Sequence, residues 1–154
     1  MPTIEYVTVA NHAEAFNGLL YLQGAGWTDM QVPFTPAGTP APMHLGIGVS
    51  VLVGWNETDR PYPMQMSIVD EDGAQLVGVE AQVQAGRPQG LPPGSDLRTV
   101  LAMNAEMQFP KAGGYELRAE LGEQTITVAF RVHFPPTAGQ NPGGAASIDL
   151  PPGL

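Results

Sequence analysis

Residues 115–134 of the chain are YELRAELGEQTITVAFRVHF, and apolar and polar side chains alternate through almost the whole stretch. Such a period of two is typical of β-strands that bury one face and expose the other. The link Gly122-Glu123 divides the stretch into two strands of similar length. The stretch therefore predicts a β-hairpin with one face in a hydrophobic core and one face in water.

The same alternation recurs upstream, in residues 45–53, 64–68, 79–85 and 101–109. Shorter extended segments are predicted at residues 3–10, 19–23 and 27–32. Residues 11–16 could form a helical turn before the turn signal Asn17-Gly18. Short strands at this spacing favour a sandwich or barrel. We predict an all-β fold, an antiparallel β-sandwich of the immunoglobulin-like type with eight or nine strands.

Glycine and proline divide the chain into one domain and a tail. The 154 residues include 19 glycines and 16 prolines, which require frequent turns. We expect the sandwich to occupy residues 1–134 and a non-regular, Pro/Gly-rich tail to occupy residues 135–154. The tail carries too few large apolar side chains to fold alone. We therefore expect it to dock on its own domain or on a neighbouring chain.

The charge balance excludes several classes of partner. Fifteen acidic and six basic residues give a net charge of −9, and Lys111 is the only lysine. A surface of this sign repels the phosphates of nucleic acids and of anionic membranes. The first ten residues lack the pattern of a signal peptide, and no apolar run is long enough to span a bilayer. A cytoplasmic location is the expectation.

The sequence contains no recognisable catalytic or cofactor motif, and we expect neither an enzyme nor a cofactor. The absence of cysteine excludes disulfides, thiolate metal sites and a cysteine nucleophile. The three histidines, His12, His44 and His133, share no short metal-binding spacing. A zinc site would need ligands brought together from distant strands, so no metal site is expected. Residues 70–73 (DEDG) suit a hairpin turn, although a weak surface calcium site stays conceivable.

One connection between strands is a candidate interaction surface. Residues 55–62 (WNETDRPY) carry tryptophan, arginine and tyrosine, which are the residue types enriched at binding hot spots. The plainer interpretation is that the tryptophan closes one end of the core. The proline-rich segment 86–94 is a second candidate, because such preordered segments suit groove binding. The residues we single out for this surface are Trp55, Asn56, Arg60, Tyr62 and Arg87.

Two resemblances add to this interpretation. Residues 109–117 (FPKAGGYEL) are similar to the turn that enters the penultimate strand of many bacterial immunoglobulin-like sandwiches, where a tyrosine braces the corner. Residues 18–27 (GLLYLQGAGW), 55–58 (WNET) and 86–95 (GRPQGLPPGS) together resemble an uncharacterised family of small bacterial proteins, mainly actinobacterial. That resemblance spans roughly residues 3–134. It implies the fold and carries no site residues onto this chain.

The sequence favours two functions, and a hydrolase with an unrecognised site is a third and less favoured alternative. The first is a non-catalytic interaction or structural module that binds protein, either a second copy or another partner, and forms a homo-oligomer. The alternative is a small-molecule or peptide binding protein that uses the loops at the end of the sandwich near Trp55, Arg60 and Arg87. An apolar pocket with a few convergent polar groups would favour the alternative.

Overall fold

A computed structural model describes residues 1–136, and this part of the chain consists of ten strands and one short 3-10 helix. The all-β class is confirmed. The predicted tail lies outside the described residues from position 137 onward. No helix within residues 1–136 has the length and apolar character needed to cross a membrane. The elements in chain order are β1 (Thr3–Ala10), β2 (His12–Phe16), β3 (Leu19–Gln23), β4 (Asp29–Gln31), β5 (Met43–Val53), the 3-10 helix (Trp55–Glu57), β6 (Tyr62–Asp70), β7 (Gln75–Val83), β8 (Leu97–Met107), β9 (Gly113–Leu121) and β10 (Gln124–His133).

Two sheets form a sandwich around one core. One sheet has three strands in the order β1-β5-β8, and the other has five in the order β4-β10-β9-β6-β7. The inward residues of β5 are fully or almost fully buried, as their alternation predicts. They join the buried side chains of β6, β9 and β10 in a single cluster. The core therefore lies between the sheets, with its apolar residues supplied by both.

The hairpin predicted from residues 115–134 is confirmed. β9 and β10 pair antiparallel with Leu121 opposite Gln124, and Gly122 in the turn has a φ of 60°. The predicted antiparallel sandwich is confirmed, and one edge adds a parallel pair. There β4 pairs with β10 in parallel, with Met30 opposite Val132. The pairing places Met30 in the core, which three residues of sequence could not predict.

A third layer covers part of the outer face of the three-stranded sheet. β2 and β3 form a separate two-stranded hairpin, so the alternative of a helical turn at residues 11–16 is wrong. Asn17 and Gly18 link the strands with φ values of 51° and 72°. Positive φ at both central residues is the geometry of a tight hairpin turn that matches the twist of its strands. With β2 included, residues 1–136 contain ten strands, more than the predicted eight or nine.

Glycines on the outer face of β5 let the β2–β3 hairpin approach closely. A Cβ added at Gly46 would lie 2.7 Å from the backbone nitrogen of Ala13, and one at Gly48 would lie 2.7 Å from a methyl carbon of Leu22. The side-chain amide of Asn104 on β8 also binds the hairpin. Its Nδ2 donates to the carbonyl of Ala13 at 2.7 Å, and its Oδ1 accepts from the nitrogen of Ala13 at 3.0 Å. The hairpin is thereby fixed to the sheet.

Candidate interaction surfaces

The predicted surface at Trp55 lies at one end of the sandwich, where the chain leaves β5. Trp55 begins the 3-10 helix and is half-buried. The guanidinium carbon of Arg87 lies 4.0 Å from the centroid of the Trp55 ring, which is a cation–π contact. The fold thus brings together two candidate residues that are 32 positions apart in the sequence.

Arg87 also binds the backbone beneath the ring. Its Nη2 donates to the carbonyl of Trp55 at 2.6 Å and to Oγ1 of Thr58 at 2.9 Å. Oγ1 of the buried Thr58 in turn donates to the carbonyl of Trp55 at 3.0 Å. A second link joins the two loops, because the nitrogen of Asp59 donates to the carbonyl of Ala85 at 2.9 Å. These contacts favour a structural role for Trp55 and Arg87 in holding the loops together.

The other three predicted residues differ in exposure. Asn56 and Arg60 are exposed, so their side chains are accessible to a partner. Tyr62 is half-buried at the start of β6 and packs against the core. An interaction surface at this end of the sandwich therefore stays a prediction that depends mainly on Asn56, Arg60 and the accessible part of Trp55.

Sequence reasoning missed a surface on the β2–β3 hairpin. Phe16, Leu19 and Tyr21 are 61%, 58% and 50% exposed. Phe16 pairs with Leu19 across the hairpin, and Tyr21 pairs with Glu14, so alternation along the strands puts these four side chains on one face. The opposite face, which includes the buried Ala13, packs on the sheet. We call Phe16, Leu19 and Tyr21 the hairpin patch.

An apolar cleft of about 270 Å³ lies between the two sheets, beside β7 and β8, which are edge strands of different sheets. Val79 of β7 is 41% exposed at this edge. The cleft contains flexible, polarisable thioether groups, which adapt to ligands of different shapes. The side chains that give it this character are Met66, Met103 and Met107, with Ile68, Val77 and Val79.

The acidic turn between β6 and β7 is closed by its own hydrogen bonds and by a lysine. Oδ1 of Asp70 accepts from the nitrogens of Ala74 and Asp72 at 2.8 and 3.0 Å. The hydrogen bond from Ala74 is the main cause that lowers the pKa of Asp70. Nζ of Lys111 lies 2.6 Å from Asp72 and 3.4 Å from Asp70. The carboxylates of the turn therefore already have cationic and hydrogen-bonding partners.

The histidines occupy two separate places. Nε2 of His133 lies 2.7 Å from Oδ1 of Asp29, across the parallel pair of β10 and β4. This contact is the main cause that lowers the pKa of Asp29. His12 and His44 meet where the β2–β3 hairpin crosses β5, with ring centroids 5.5 Å apart. Within residues 1–136, no three histidine, aspartate or glutamate side chains are placed to hold one metal ion together.

Comparisons with known proteins place the chain in a family and add no activity. One protein-family model matches residues 5–135, and it describes a family of unknown function (DUF6941). No curated protein matches the chain. A solved structure of Bifidobacterium dentium beta-glucuronidase complexed with coumarin-3-O-glucuronide is similar at 13% identity and a TM-score of 0.39. The match covers 84% of this chain and 17% of that one.

Proposed function

The chain belongs to the DUF6941 family of unknown function, and we propose that its domain is a non-catalytic interaction module that self-associates through the hairpin patch. The observation that carries the proposal is the exposure of Phe16, Leu19 and Tyr21 on one face of a hairpin that is itself fixed to the sandwich. Aromatic and large aliphatic side chains grouped on a rigid element mark interaction sites.

The proposed sandwich is of the immunoglobulin-like type. Two observations support this assignment. The hydroxyl of the buried Tyr115 donates to the carbonyl of Lys111 at 2.7 Å, as the bracing tyrosine does at the corner of such sandwiches. The chain also crosses repeatedly between the two sheets. β5 and β8 lie in one sheet, whereas β6, β7, β9 and β10 lie in the other. Sandwiches of this type serve many functions, so the type of fold does not identify the function, which has to be inferred from the surfaces.

A second copy is the occupant that the patch fits best. The patch itself is uncharged, and the same face carries Glu14 and His12, one acid and one histidine, so it has no excess of one charge that would select a partner of the opposite charge. In a twofold pair the same patch lies on both sides, and apolar groups meet apolar groups. The net charge of −9 opposes the approach of two copies, and salt screens this repulsion.

The size of the patch predicts a weak dimer. Full burial of a side chain of this size contributes about 1.5–3 kcal/mol, so six half-exposed side chains contribute roughly 5–9 kcal/mol. Association costs about 4–15 kcal/mol in lost translational and rotational freedom. Because these terms are similar, the dimer should form in a concentration-dependent manner and exchange with the monomer.

Light scattering on the full chain and on a Leu19→Ser variant tests the proposal. We expect the mass of the native chain to rise from monomer to dimer with concentration and the variant to stay monomeric. The matched control is Val79→Ser, which removes an exposed apolar side chain from β7, away from the hairpin. A native chain that stays monomeric at every concentration, or a Leu19→Ser variant that dimerises normally, would contradict the proposal.

The apolar cleft supports a second candidate function, the binding of a small apolar ligand or an apolar peptide side chain. A volume of about 270 Å³ with thioether walls suits a compact hydrophobic group. We expect the fluorescence of an apolar dye to rise on binding and to fall when Ala105→Trp fills the cleft. Leu91→Trp, on an exposed loop, is the control and should leave dye binding unchanged. Equal dye binding by both variants would contradict a ligand site in the cleft.

A further inference from the structure

His12 and His44 are brought together by the β2–β3 hairpin. Nδ1 of His12 on β2 lies 3.3 Å from Nε2 of His44 on β5. The two histidines are 32 positions apart and share no short metal-binding spacing, which is why the sequence alone indicates isolated histidines. Their meeting depends on the close approach of the hairpin to Gly46, because a Cβ there would collide with the backbone of His12 and Ala13.

An amide oxygen of fixed orientation faces the same point. Oδ1 of Asn104 lies 3.3 Å from Nε2 of His44. The two hydrogen bonds between Asn104 and the backbone of Ala13 determine which amide atom is the oxygen, since a carbonyl only accepts and a backbone nitrogen only donates. A second lone pair of Oδ1 remains for another partner.

The hydrogen bond on the other side of the His44 ring determines its tautomer. Nδ1 of His44 lies 2.8 Å from Oε1 of Glu106, and an ionised carboxylate only accepts. Nδ1 therefore carries a hydrogen, and in the neutral ring Nε2 presents a lone pair toward Oδ1 of Asn104. Two acceptors that face each other at 3.3 Å repel unless a positive centre, either a proton on Nε2 or a metal ion, lies between them.

We propose that this positive centre is a zinc ion, bound by Nδ1 of His12, Nε2 of His44 and Oδ1 of Asn104. Ligand atoms at about 2.0–2.1 Å in a tetrahedral zinc site lie about 3.3–3.4 Å from one another. The two observed separations, His12 to His44 and His44 to Asn104, are both 3.3 Å. Glu106 completes the arrangement as the carboxylate that orients a metal-binding histidine through its far nitrogen.

This set of ligands differs from the usual clusters of three histidine or acidic side chains. The third ligand is an amide oxygen, and Glu106 contacts the opposite nitrogen of the ring, so it orients His44 without binding the metal. Two imidazoles are suited to zinc and to the neighbouring transition metals. The His44 side chain is 43% exposed, which leaves a fourth position to water. The ion would join β2 to β5 and β8 and hold the hairpin on the sheet.

Isothermal titration of the untagged, chelator-treated full chain with zinc chloride tests the site. We expect one zinc ion per chain and a loss of affinity of at least about 100-fold in His12→Ala and in His44→Ala. Glu106→Gln keeps all three ligands and should weaken binding about 10- to 100-fold, because a neutral amide orients the ring less well. His133→Ala is the matched control, because His133 contacts Asp29 and neither His12 nor His44. This variant should bind zinc like the native chain.

Nitrogen NMR of the imidazole rings separates ligation from protonation. We expect zinc to shift Nδ1 of His12 and Nε2 of His44 while His133 stays unchanged. The proposal is overturned if zinc produces no heat, or if His12→Ala and His133→Ala reduce binding equally. It is also overturned if Nε2 of His44 carries a proton that zinc does not displace. If an alanine variant fails to fold, Glu106→Gln and the NMR spectrum still decide.

Discussion

A Cβ atom built on Gly46 would lie 2.7 Å from the backbone nitrogen of Ala13, closer than real Cβ contacts allow. The obstacle is backbone, which cannot rotate away as the end of a flexible side chain would. We therefore expect Gly46→Ala to lift the β2–β3 hairpin from the sheet and to cost about 1–3 kcal/mol, as overpacking does elsewhere. Amide exchange should show lost protection at Ala13 and retained protection in the β9–β10 hairpin.

The control for this prediction is Gly86→Ala. Its added Cβ would meet only Oδ1 of Asp59, at 4.0 Å, which is ordinary van der Waals contact. We expect its stability and the amide protection at Ala13 to match the native chain. Normal protection at Ala13 in Gly46→Ala would show that the hairpin tolerates the displacement, and the account of β5 would then be wrong.

Removing the hydroxyl of Tyr115 should destabilise the corner before β9. Tyr115→Phe keeps the ring stacked on Phe130 and leaves the carbonyl of Lys111 without its partner. We expect a loss of about 1–2 kcal/mol in the free energy of unfolding, measured in urea. Tyr6→Phe is the control, because that ring is 45% exposed, and it should be neutral. Equal stability of the two variants would argue against a bracing role.

Glu5 gives the domain an acid-sensitive contact. Side-chain hydrogen bonds from Arg98, and to a smaller extent from Ser50, lower the pKa of Glu5 to about 2. Desolvation acts in the opposite direction, because it favours the neutral form, and is the smaller effect. Because the folded-state pKa lies below the unfolded one, this contribution is complete above the unfolded pKa of about 4.5 and is lost as the pH falls through about 2.

The corresponding variant is Glu5→Gln, compared with the native chain in urea unfolding at several pH values. The difference in stability should be largest at neutral pH and should shrink as the pH falls from about 5 toward 2. Glu123→Gln, in the exposed turn before β10, should follow the native curve. A difference between Glu5→Gln and the native chain that does not depend on pH would contradict the role of the carboxylate charge.

Arg87 should stabilise the end of the sandwich through its planar guanidinium. Arg87→Lys keeps the charge but loses much of the contact with the Trp55 ring and the paired hydrogen bonds. We expect a loss of about 0.5–2 kcal/mol and a change in tryptophan fluorescence. Arg60→Lys, at an exposed position of the same loop, should leave both unchanged. If Arg87→Lys changes neither the stability nor the tryptophan fluorescence, Arg87 does not stabilise this end of the sandwich, and a role in binding an outside partner would be favoured.

Salt should strengthen the proposed self-association. Each copy carries a net charge of −9, and the three residues of the hairpin patch carry no charged group that could form an ion pair between copies. Raising the salt from about 0.02 M to about 0.5 M shortens the screening length and should tighten the dimer. Sedimentation equilibrium measures this directly. Weaker association at high salt would indicate a polar interface and a different surface.

Alternation predicted the strands whose pattern is long, and it failed where a strand is short. The β9–β10 hairpin follows from nearly 20 residues of uninterrupted period, which tertiary contacts only complete. β2 has five residues with an alanine-rich composition, and its strand conformation depends on pairing with β3 and on the amide of Asn104. Contacts of this kind join positions far apart, so the local sequence does not contain them.

The candidate surfaces show the same division. Trp55 and Arg87 were predicted to share one end of the sandwich, and the structure brings them into contact. The hairpin patch was missed because alternation shows that a strand has two faces without showing which one a neighbour covers. The meeting of His12 with His44 was missed for a further reason. That meeting requires a glycine at position 46 of β5. The need for this glycine is visible only once the hairpin is packed against β5.

Hydroxyl-radical footprinting of the native chain, at dilute and at high concentration, tests whether two copies associate through the hairpin patch. It locates an interface without any substitution, and Phe34, which is 36% exposed outside the hairpin, serves as the internal reference. We predict that labelling of Phe16, Leu19 and Tyr21 falls as the concentration rises while that of Phe34 stays constant. Equal labelling of the three patch residues at both concentrations would contradict self-association through the hairpin.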